Sequence, residues 1–570
     1  MADFKSAIAK AIVGALPGGQ LGKEEIESIL EIPPQKQMGD YSFPAFKLAA
    51  KLKKNPNEIA KQIAGNIKLP GEIREVKLAG PYVNFFVNEG VLATGTLQKI
   101  LKEGKKFGMK KQGKEKIIIE YCQANTHKDF HIGHVRNICL GESIARIFEA
   151  SGEKVTRMNY EGDVGPHVSK CLWAYENHFK GKEPKGNMGK WLGMVYAYGS
   201  KQVRENEDLE ETMREMVIRL EKGDKKLVEL WKKTRKWSLD YFESIYRQLG
   251  IKFDVYAFES QMEKRGIEIA NDLHKTGIAH KDDGALLIDL EEYGLNKFII
   301  LKRDGAALYS TKDLANAEYK LKKLKAKKTV VITGAEQRFY FQQLIKTIEL
   351  LNQRKLQYCE TIHAPYELVM LKEGKMSSRE GIVVAYSDFY EKAFSKALEE
   401  VKSRHKIWKQ KKIDETANHI ALAAIKFGML HQDKNQVIHF DFDDALKMAG
   451  ETGPFIQYSY ARARSILRKA GKKTKKIDFS ALNDETEKNL NSVLSRFPEI
   501  IEESRNVLSA HKLTHYLVEL SSVFNTFYHK QPVLQAEEKE KNARLALVEA
   551  TTIVLENGLK LLNIKALEEM

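Results

Sequence analysis

Two short segments carry residues whose types and spacing suit a polyphosphate. The first is His131-Ile132-Gly133-His134, set between an apolar run and a helical pattern. Amides at a helix start carry partial positive charge, imidazoles donate hydrogen bonds to phosphoryl oxygens, and a glycine between them lets a flat base come close. The second is Gly374-Lys375-Met376-Ser377-Ser378-Arg379-Glu380-Gly381, a glycine-bounded loop after the apolar segment 368–371. Lys375 suits β- and γ-phosphate oxygens as a point charge, with Ser377 and Ser378 as lighter donors, and such a loop can tighten in the transition state. Taken singly, each segment has a plainer reading: a pair of surface histidines capping a helix, and a basic turn.

The apolar pattern indicates what must position these segments. Residues 116–122 form a continuous apolar run of the kind seen in a parallel strand covered on both faces. From 134 to 150 the apolar positions Ile138, Ile144, Ala145 and Phe148 fall mostly on one helix face, ended by Ser151-Gly152, and 154–160 reads as a second strand. This βαβ unit predicts a doubly wound parallel sheet with the histidine motif at a strand's carboxyl end, where such sheets bind ligands. Further sheet strands are expected at 297–301, 328–333 and 366–370. A mostly helical insertion is expected over 165–295.

The flanks differ from this middle. Residues 1–110 read as a small α+β domain, with Phe4, Ile8, Ile12 and Leu16 at helical spacing, an amphipathic stretch over 46–67 and a strand over 82–87, then a basic linker over 102–116. From 386 to 570 the strand signal disappears and helical periodicity predicts an all-α bundle. The expected division is therefore 1–110, 111–385 and 386–570, without internal repeats.

At 570 residues the chain is too long for one core, and 43% hydrophobic with 30% charged residues excludes disordered and low-complexity classes. No stretch approaches 18 uncharged apolar residues, so no membrane span and an intracellular, reduced setting are expected. Cys122, Cys139, Cys171 and Cys359 are scattered without a C-x-x-C pair, which argues against a zinc ribbon or a disulfide framework. The net charge of +16 fits a polyanionic partner such as nucleic acid, or else a solubility surplus of lysines.

Together the two segments resemble the paired signatures of class I aminoacyl-tRNA synthetases, and their surroundings resemble the arginyl-tRNA synthetase family. The resemblance runs through Glu120-Tyr121-Cys122-Gln123-Ala124-Asn125, Asn159-Tyr160-Glu161-Gly162-Asp163-Val164-Gly165 and Tyr309-Ser310-Thr311-Lys312-Asp313-Leu314-Ala315. It extends to the run from Gly453-Pro454 to Arg462, to Phe527-Tyr528-His529 and to Gly39-Asp40-Tyr41-Ser42-Phe43-Pro44. It implies a Rossmann-like catalytic domain between an N-terminal accessory tRNA-binding domain and a C-terminal anticodon-binding bundle, acting as a cytoplasmic monomer. The activity implied is ligation of L-arginine to tRNA(Arg) with ATP and Mg²⁺, through an arginyl-adenylate and a ribose 2′-hydroxyl. The alternative is a catalytically silent relative that binds tRNA or regulates.

The same resemblance assigns residues. His131 and His134 with Lys375 would be catalytic, with Gly133, Met376, Ser377 and Ser378 completing the ATP contacts. Glu120, Asn125, Tyr309, Asp313 and Gln337 would line the arginine pocket, which suits a guanidinium because carboxylates and planar acceptors match its fork. Asp313 also reads as a first-turn acid favoured by the helix dipole. Tyr82 and Asn84 would meet tRNA near its elbow, and Tyr458, Tyr460 and Arg462 would meet the anticodon loop, although a bundle core also explains Tyr458. Around Arg462 eight cations occur in a fifteen-residue window without an acid. The chain departs from the family pattern at Tyr340 and Tyr460, where histidine is frequent, and in its tail at 562–567.

Overall fold

The computed structural model describes residues 4–16, 22–71, 73–87, 89–372, 384–471 and 477–570. At its centre is a five-stranded, all-parallel sheet. The strands are β1 (Lys116–Glu120), β2 (Lys154–Glu161), β3 (Val255–Phe258), β4 (Lys328–Gly334) and β5 (Glu360–Tyr366), ordered β5-β4-β1-β2-β3. The β1 sequence Lys-Ile-Ile-Ile-Glu is buried along nearly its whole length, as expected with helices on both faces. The chain goes one way from β1 to β2 and β3, then returns to the other side for β4 and β5. The reversal opens a crevice between the carboxyl ends of β1 and β4, where doubly wound sheets take their ligands.

The helix Ile132–Ala150 follows β1 and packs on the sheet through a run of buried residues. A Cβ at Gly141 would come within 2.1 Å of the Tyr121 ring, so the helix approaches the end of β1 only because residue 141 lacks a side chain.

Three boundaries differ from the sequence pattern. The insertion does contribute the helices Pro166–Ala174, Met188–Glu205, Asp208–Glu221 and Lys225–Leu249, but it ends there, because Val255–Phe258 is the edge strand of the main sheet. A four-residue strand is too short to show its period. Lys297–Leu301 does not join the parallel sheet; it pairs antiparallel with Ala285–Asp289 in a separate three-stranded sheet. The expected strand at 366–370 is split. Tyr366 ends β5, and Val369–Leu371 pairs in parallel with Ile438–Phe440, a strand inside the region expected to be wholly helical.

The N-terminal unit is an antiparallel sheet of Tyr41–Pro44, Tyr82–Val87 and Ile73–Ala79, with its own core around Ile8, Phe43 and Phe85. The basic stretch after it is not a free linker. Within it Phe107 is fully buried, in the core that also holds Leu97 and Ile100 of the preceding helix, and its ring stacks on Phe497 at 6.1 Å. The helical domain is built from helices such as Gly453–Ala470, His511–Lys530 and Glu538–Leu561. Among the described residues no helix is long and apolar enough to cross a membrane.

Candidate active site

A cavity of about 860 Å³ occupies the crevice, and its wall brings together side chains from β1, the histidine motif, β2, the helix Tyr309–Lys322 and the turn after β4. Glu120, Asn125, His131, Gly133, His134, Tyr309, Asp313 and Gln337, all singled out in the sequence, line this one cavity. Lys375, Met376, Ser377 and Ser378 lie outside the described residues. The chain on both sides of them reaches the same cavity, since Met370, Leu371 and Val384 line it. Val384 O accepts from Ile132 N at 3.1 Å and Phe130 O from Tyr386 N at 2.7 Å, so the returning chain is bonded to the histidine motif itself.

At the histidine end, His131 caps the helix. Its Nδ1 accepts from Gly133 N at 3.1 Å, and His134 Nδ1 accepts from His131 N at 3.2 Å. The two rings stack with centroids 3.7 Å apart. An Nδ1 that accepts a backbone N–H carries no proton, so in the neutral ring the proton sits on Nε2. Burial, with Lys128 nearby, pushes His131 down to about 4, and burial with His131 and Lys128 pushes His134 well below the usual imidazole range. Both rings are therefore neutral near pH 7 and offer Nε2–H donors rather than charge. Gly133 is tight against this cap, because a Cβ there would sit 3.0 Å from the His131 ring. Lys128, a residue the sequence reading passed over, lies in the loop before the motif and outside the cavity lining, and acts on both rings as a nearby cation.

The opposite end is an anionic recess. Glu120 is buried and both of its described partners sit on Oε2: Lys320 Nζ at 2.6 Å and Asn316 Nδ2 at 3.3 Å. Glu259 is paired with Lys312 at 3.1 Å. Asp313 has no ion-pair partner among the described residues; the Tyr340 hydroxyl donates to its Oδ2. Burial, with Glu120 close by, raises the Asp313 carboxyl to about 7 although Tyr340 pulls the other way. The departure at position 340 thus has a consequence, since a neutral phenol leaves Asp313 without a cation. The Tyr160 hydroxyl, from β2, is buried in the same wall with no hydrogen-bond partner among the described residues. Tyr309 stands at the mouth, 64% exposed, and Gln337 is exposed at the rim.

Asn125 and the Gly162 segment hold each other. Thr126 N donates to Gly162 O at 2.9 Å, and a Cβ at position 162 would fall 2.1 Å from Asn125 Oδ1. The following Asp163 is fully buried, taking Ser260 N and Oγ at 2.9 and 2.7 Å and an ion pair from Arg235 at 3.0 Å. It ties the insertion to the sheet. Asn316, Lys320, Lys312, Glu259, Tyr160 and Lys128 were missed in the sequence. For Asn316 and Lys320 a signal existed, because they follow Tyr309 and Asp313 at helical spacing.

The residues expected to meet nucleic acid separate into two groups. Tyr82 is half-buried, edge-on to the exposed Phe46 at 5.6 Å. Asn84 is buried and its Oδ1 accepts from Ser42 Oγ at 2.6 Å, so it serves the domain's own core. Tyr460 likewise is buried, its hydroxyl turned to Glu568 at 3.4 Å. Tyr458 and Arg462 do form an open cluster: the guanidinium lies 4.8 Å from the Tyr458 ring and 5.0 Å from that of the exposed Tyr528. The basic window is less free than its composition suggests. Arg464 and Arg468 pair with Glu568 at 2.8 and 3.4 Å, while 472–476 lie outside the described residues.

A parallel sheet with paired histidines at its switch point and a loop returning to them is the architecture of a class I tRNA synthetase catalytic domain. Three family descriptions match the chain in succession: "Arginyl tRNA synthetase N terminal domain" over 2–87, "tRNA synthetases class I (R), catalytic domain" over 96–443 and "DALR anticodon binding domain" over 456–570. The chain belongs to the class I tRNA synthetases (R), the arginyl-tRNA synthetase family. It is 36% identical to proteins named arginine–tRNA ligase from Halothermothrix orenii and from Clostridioides difficile, covering all of each chain. The Thermus thermophilus arginyl-tRNA synthetase structure superposes with a TM-score of 0.85 at 26% identity, over 100% of this chain and 99% of that one.

Proposed function

We infer that the protein is an arginine–tRNA ligase, which activates L-arginine with ATP to arginyl-adenylate and transfers the arginyl group to the 3′ end of tRNA(Arg). The observation that carries this reading is the polarity of the cavity, with neutral imidazole donors at the start of a helix at one end and three buried or half-buried acids at the other. A triphosphate suits the first end and a guanidinium the second, which places the arginine carboxylate between them.

The reaction needs little acid–base chemistry. A carboxylate oxygen of arginine attacks the α-phosphorus of ATP, the bond to the bridging oxygen breaks, and pyrophosphate leaves with the electron pair. His131 and His134 donate from Nε2 to phosphate oxygens beside the Gly133 amide; Lys375, with Met376, Ser377 and Ser378, meets the charge growing on pyrophosphate. Asn125 and Gln337 orient the amino acid, and Glu120, Tyr309 and Asp313 surround the guanidinium. A ribose 2′-hydroxyl of the terminal adenosine then attacks the carbonyl carbon, and AMP leaves. Among the described residues no group of three or more His, Cys, Asp or Glu side chains is placed to hold a metal. Mg²⁺ on this reading arrives bound to the phosphate oxygens of ATP, as part of the substrate.

Tyr458 and Arg462, with Tyr528, offer stacking faces to anticodon bases, and Tyr82 with Phe46 offers a second aromatic contact to tRNA. On this reading the enzyme acts as a monomer in the cytoplasm. Arginine-dependent pyrophosphate exchange, with and without tRNA and with each of the twenty amino acids, tests the reading. Exchange with arginine alone among them supports it, and silence in the presence of tRNA refutes it.

A further inference from the structure

The helix Tyr309–Lys322 turns one stripe toward the cavity, in which Tyr309, Asp313, Asn316 and Lys320 succeed one another. Asn316 is only 3% exposed. Its Nδ2 donates to Glu120 Oε2, which fixes the amide and leaves Oδ1 as its other end. That Oδ1 is buried and, among the described residues, accepts no hydrogen bond. Because Lys320 takes the same Glu120 oxygen at 2.6 Å, the helix pins Glu120 by one oxygen and holds an unsatisfied carbonyl beside it. Leaving a buried acceptor without a donor costs free energy, because its hydrogen bond to water has been lost and not replaced. At the wall of a substrate cavity, the donor that removes this cost is an N–H of the substrate.

We propose that Asn316 is a specificity-determining residue, its Oδ1 accepting from a terminal N–H of the substrate guanidinium beside the carboxylates of Glu120 and Asp313. This rests on the arginine reading above and adds a neutral, planar acceptor to it. A guanidinium carries five N–H donors in a fixed fork, enough to serve two acids and an amide carbonyl together. Methylating both terminal nitrogens removes donors and adds bulk where Asn316 stands.

The test compares the wild type with Asn316→Leu, which keeps the branched shape, drops the acceptor and adds methyl bulk, and Asn316→Ala, which opens space. Arginine-dependent pyrophosphate exchange is measured with tRNA present, using arginine and its symmetrically dimethylated guanidino analogue. The expected result is an arginine KM raised at least tenfold in both variants, with kcat and the ATP KM within about twofold of wild type. In Asn316→Ala the preference for arginine over the dimethyl analogue falls at least tenfold. A raised KM with that preference unchanged assigns Asn316 to support of Glu120 alone and overturns the proposal, as does an unchanged arginine KM. A wild type silent toward arginine refutes the function itself and is thereby told apart.

Discussion

Asp313 is a carboxyl that resists ionisation, and arginine should reverse this. Its pKa of about 7 stands some three units above an ordinary aspartate, which at 1.36 kcal/mol per unit is about 4 kcal/mol against the carboxylate. Burial is the main cause, with Glu120 close by; among the described residues Glu120 and Glu259 have lysines, whereas Asp313 has only the Tyr340 hydroxyl, which is too little to offset it. A guanidinium is the missing cation, so binding arginine expels the proton. If only the ionised form binds, the apparent Kd varies as one plus the protonated-to-ionised ratio, and arginine binds roughly tenfold more weakly at pH 6 than at pH 8. The sign follows from the raised value, since affinity is lost as pH falls through 7 and is nearly complete above 8. His131, at about 4, and His134, held well below the usual imidazole range by burial, do not titrate in this window. Calorimetry in buffers of different ionisation enthalpy should show release of about half a proton per arginine at pH 7. Asp313→Asn should abolish both the release and the pH slope, and weaken arginine by about 2–5 kcal/mol. A flat arginine affinity from pH 6 to 8 in the wild type would refute the argument.

The same carboxyl makes a stability prediction of opposite direction. Since a raised folded-state pKa removes stability as pH rises from about 4 through 7, Asp313→Asn should stabilise the arginine-free protein at pH 8 by at most about 4 kcal/mol, seen as a higher Tm; no rise would show that the site relaxes. Lys375→Ala should depress kcat in pyrophosphate exchange far more than it raises the ATP KM, because its contact strengthens in the transition state, and equal losses would count against that role. Arg462→Ala should raise the KM for tRNA while leaving the arginine and ATP KM values within twofold, measured by aminoacylation. Asn84→Ala should lower stability by about 1–3 kcal/mol through the orphaned Ser42 hydroxyl, seen as a lower Tm, and leave the tRNA KM unchanged, whereas Tyr82→Ala should raise that KM.

What could be read in the sequence was what repeats locally. The run Ile117-Ile118-Ile119 announces a covered strand, and the turn to a helix at His131 announces the ligand end of the sheet, because both depend on neighbours a few residues apart. The three acids of the recess come from residues 120, 259 and 313, brought together by the sheet, so only the two carried by a family signature were visible. Short elements also escaped: Val255–Phe258 and Ile438–Phe440 become strands by pairing with β2 and with Val369–Leu371, partners far away in the chain. Charge was misjudged for a related reason. Arg464 and Arg468 look free within their own window, yet the acids that meet them are at the C-terminus, a hundred residues on.

One helix joins the two halves of this reading. His131 caps Ile132–Ala150 at the cavity, and the far part of that helix is bonded to the last turn of the helical domain: Ser143 Oγ donates to Leu561 O at 3.0 Å, and Arg146 Nη1 to Lys560 O at 2.9 Å. Arg146 Nη2 also reaches Asn563 Oδ1 at 2.9 Å, and the buried Lys426 holds Leu249 O and Asn563 O at 2.7 and 2.6 Å. Lys426, brought down to about 8 by burial, still carries its charge near pH 7, and its two carbonyl acceptors belong to the end of the insertion's last helix and to the C-terminal tail. A shift of the helical domain against the sheet must therefore either break charge-assisted bonds or carry the histidine helix with it. The bonds run from tail to helix to ATP end without crossing a flexible linker. Arg146→Ala cuts two of them far from any substrate, so it should raise the tRNA-stimulated exchange rate's dependence on tRNA concentration while sparing ATP binding; identical tRNA curves for variant and wild type would show that the two domains answer tRNA independently.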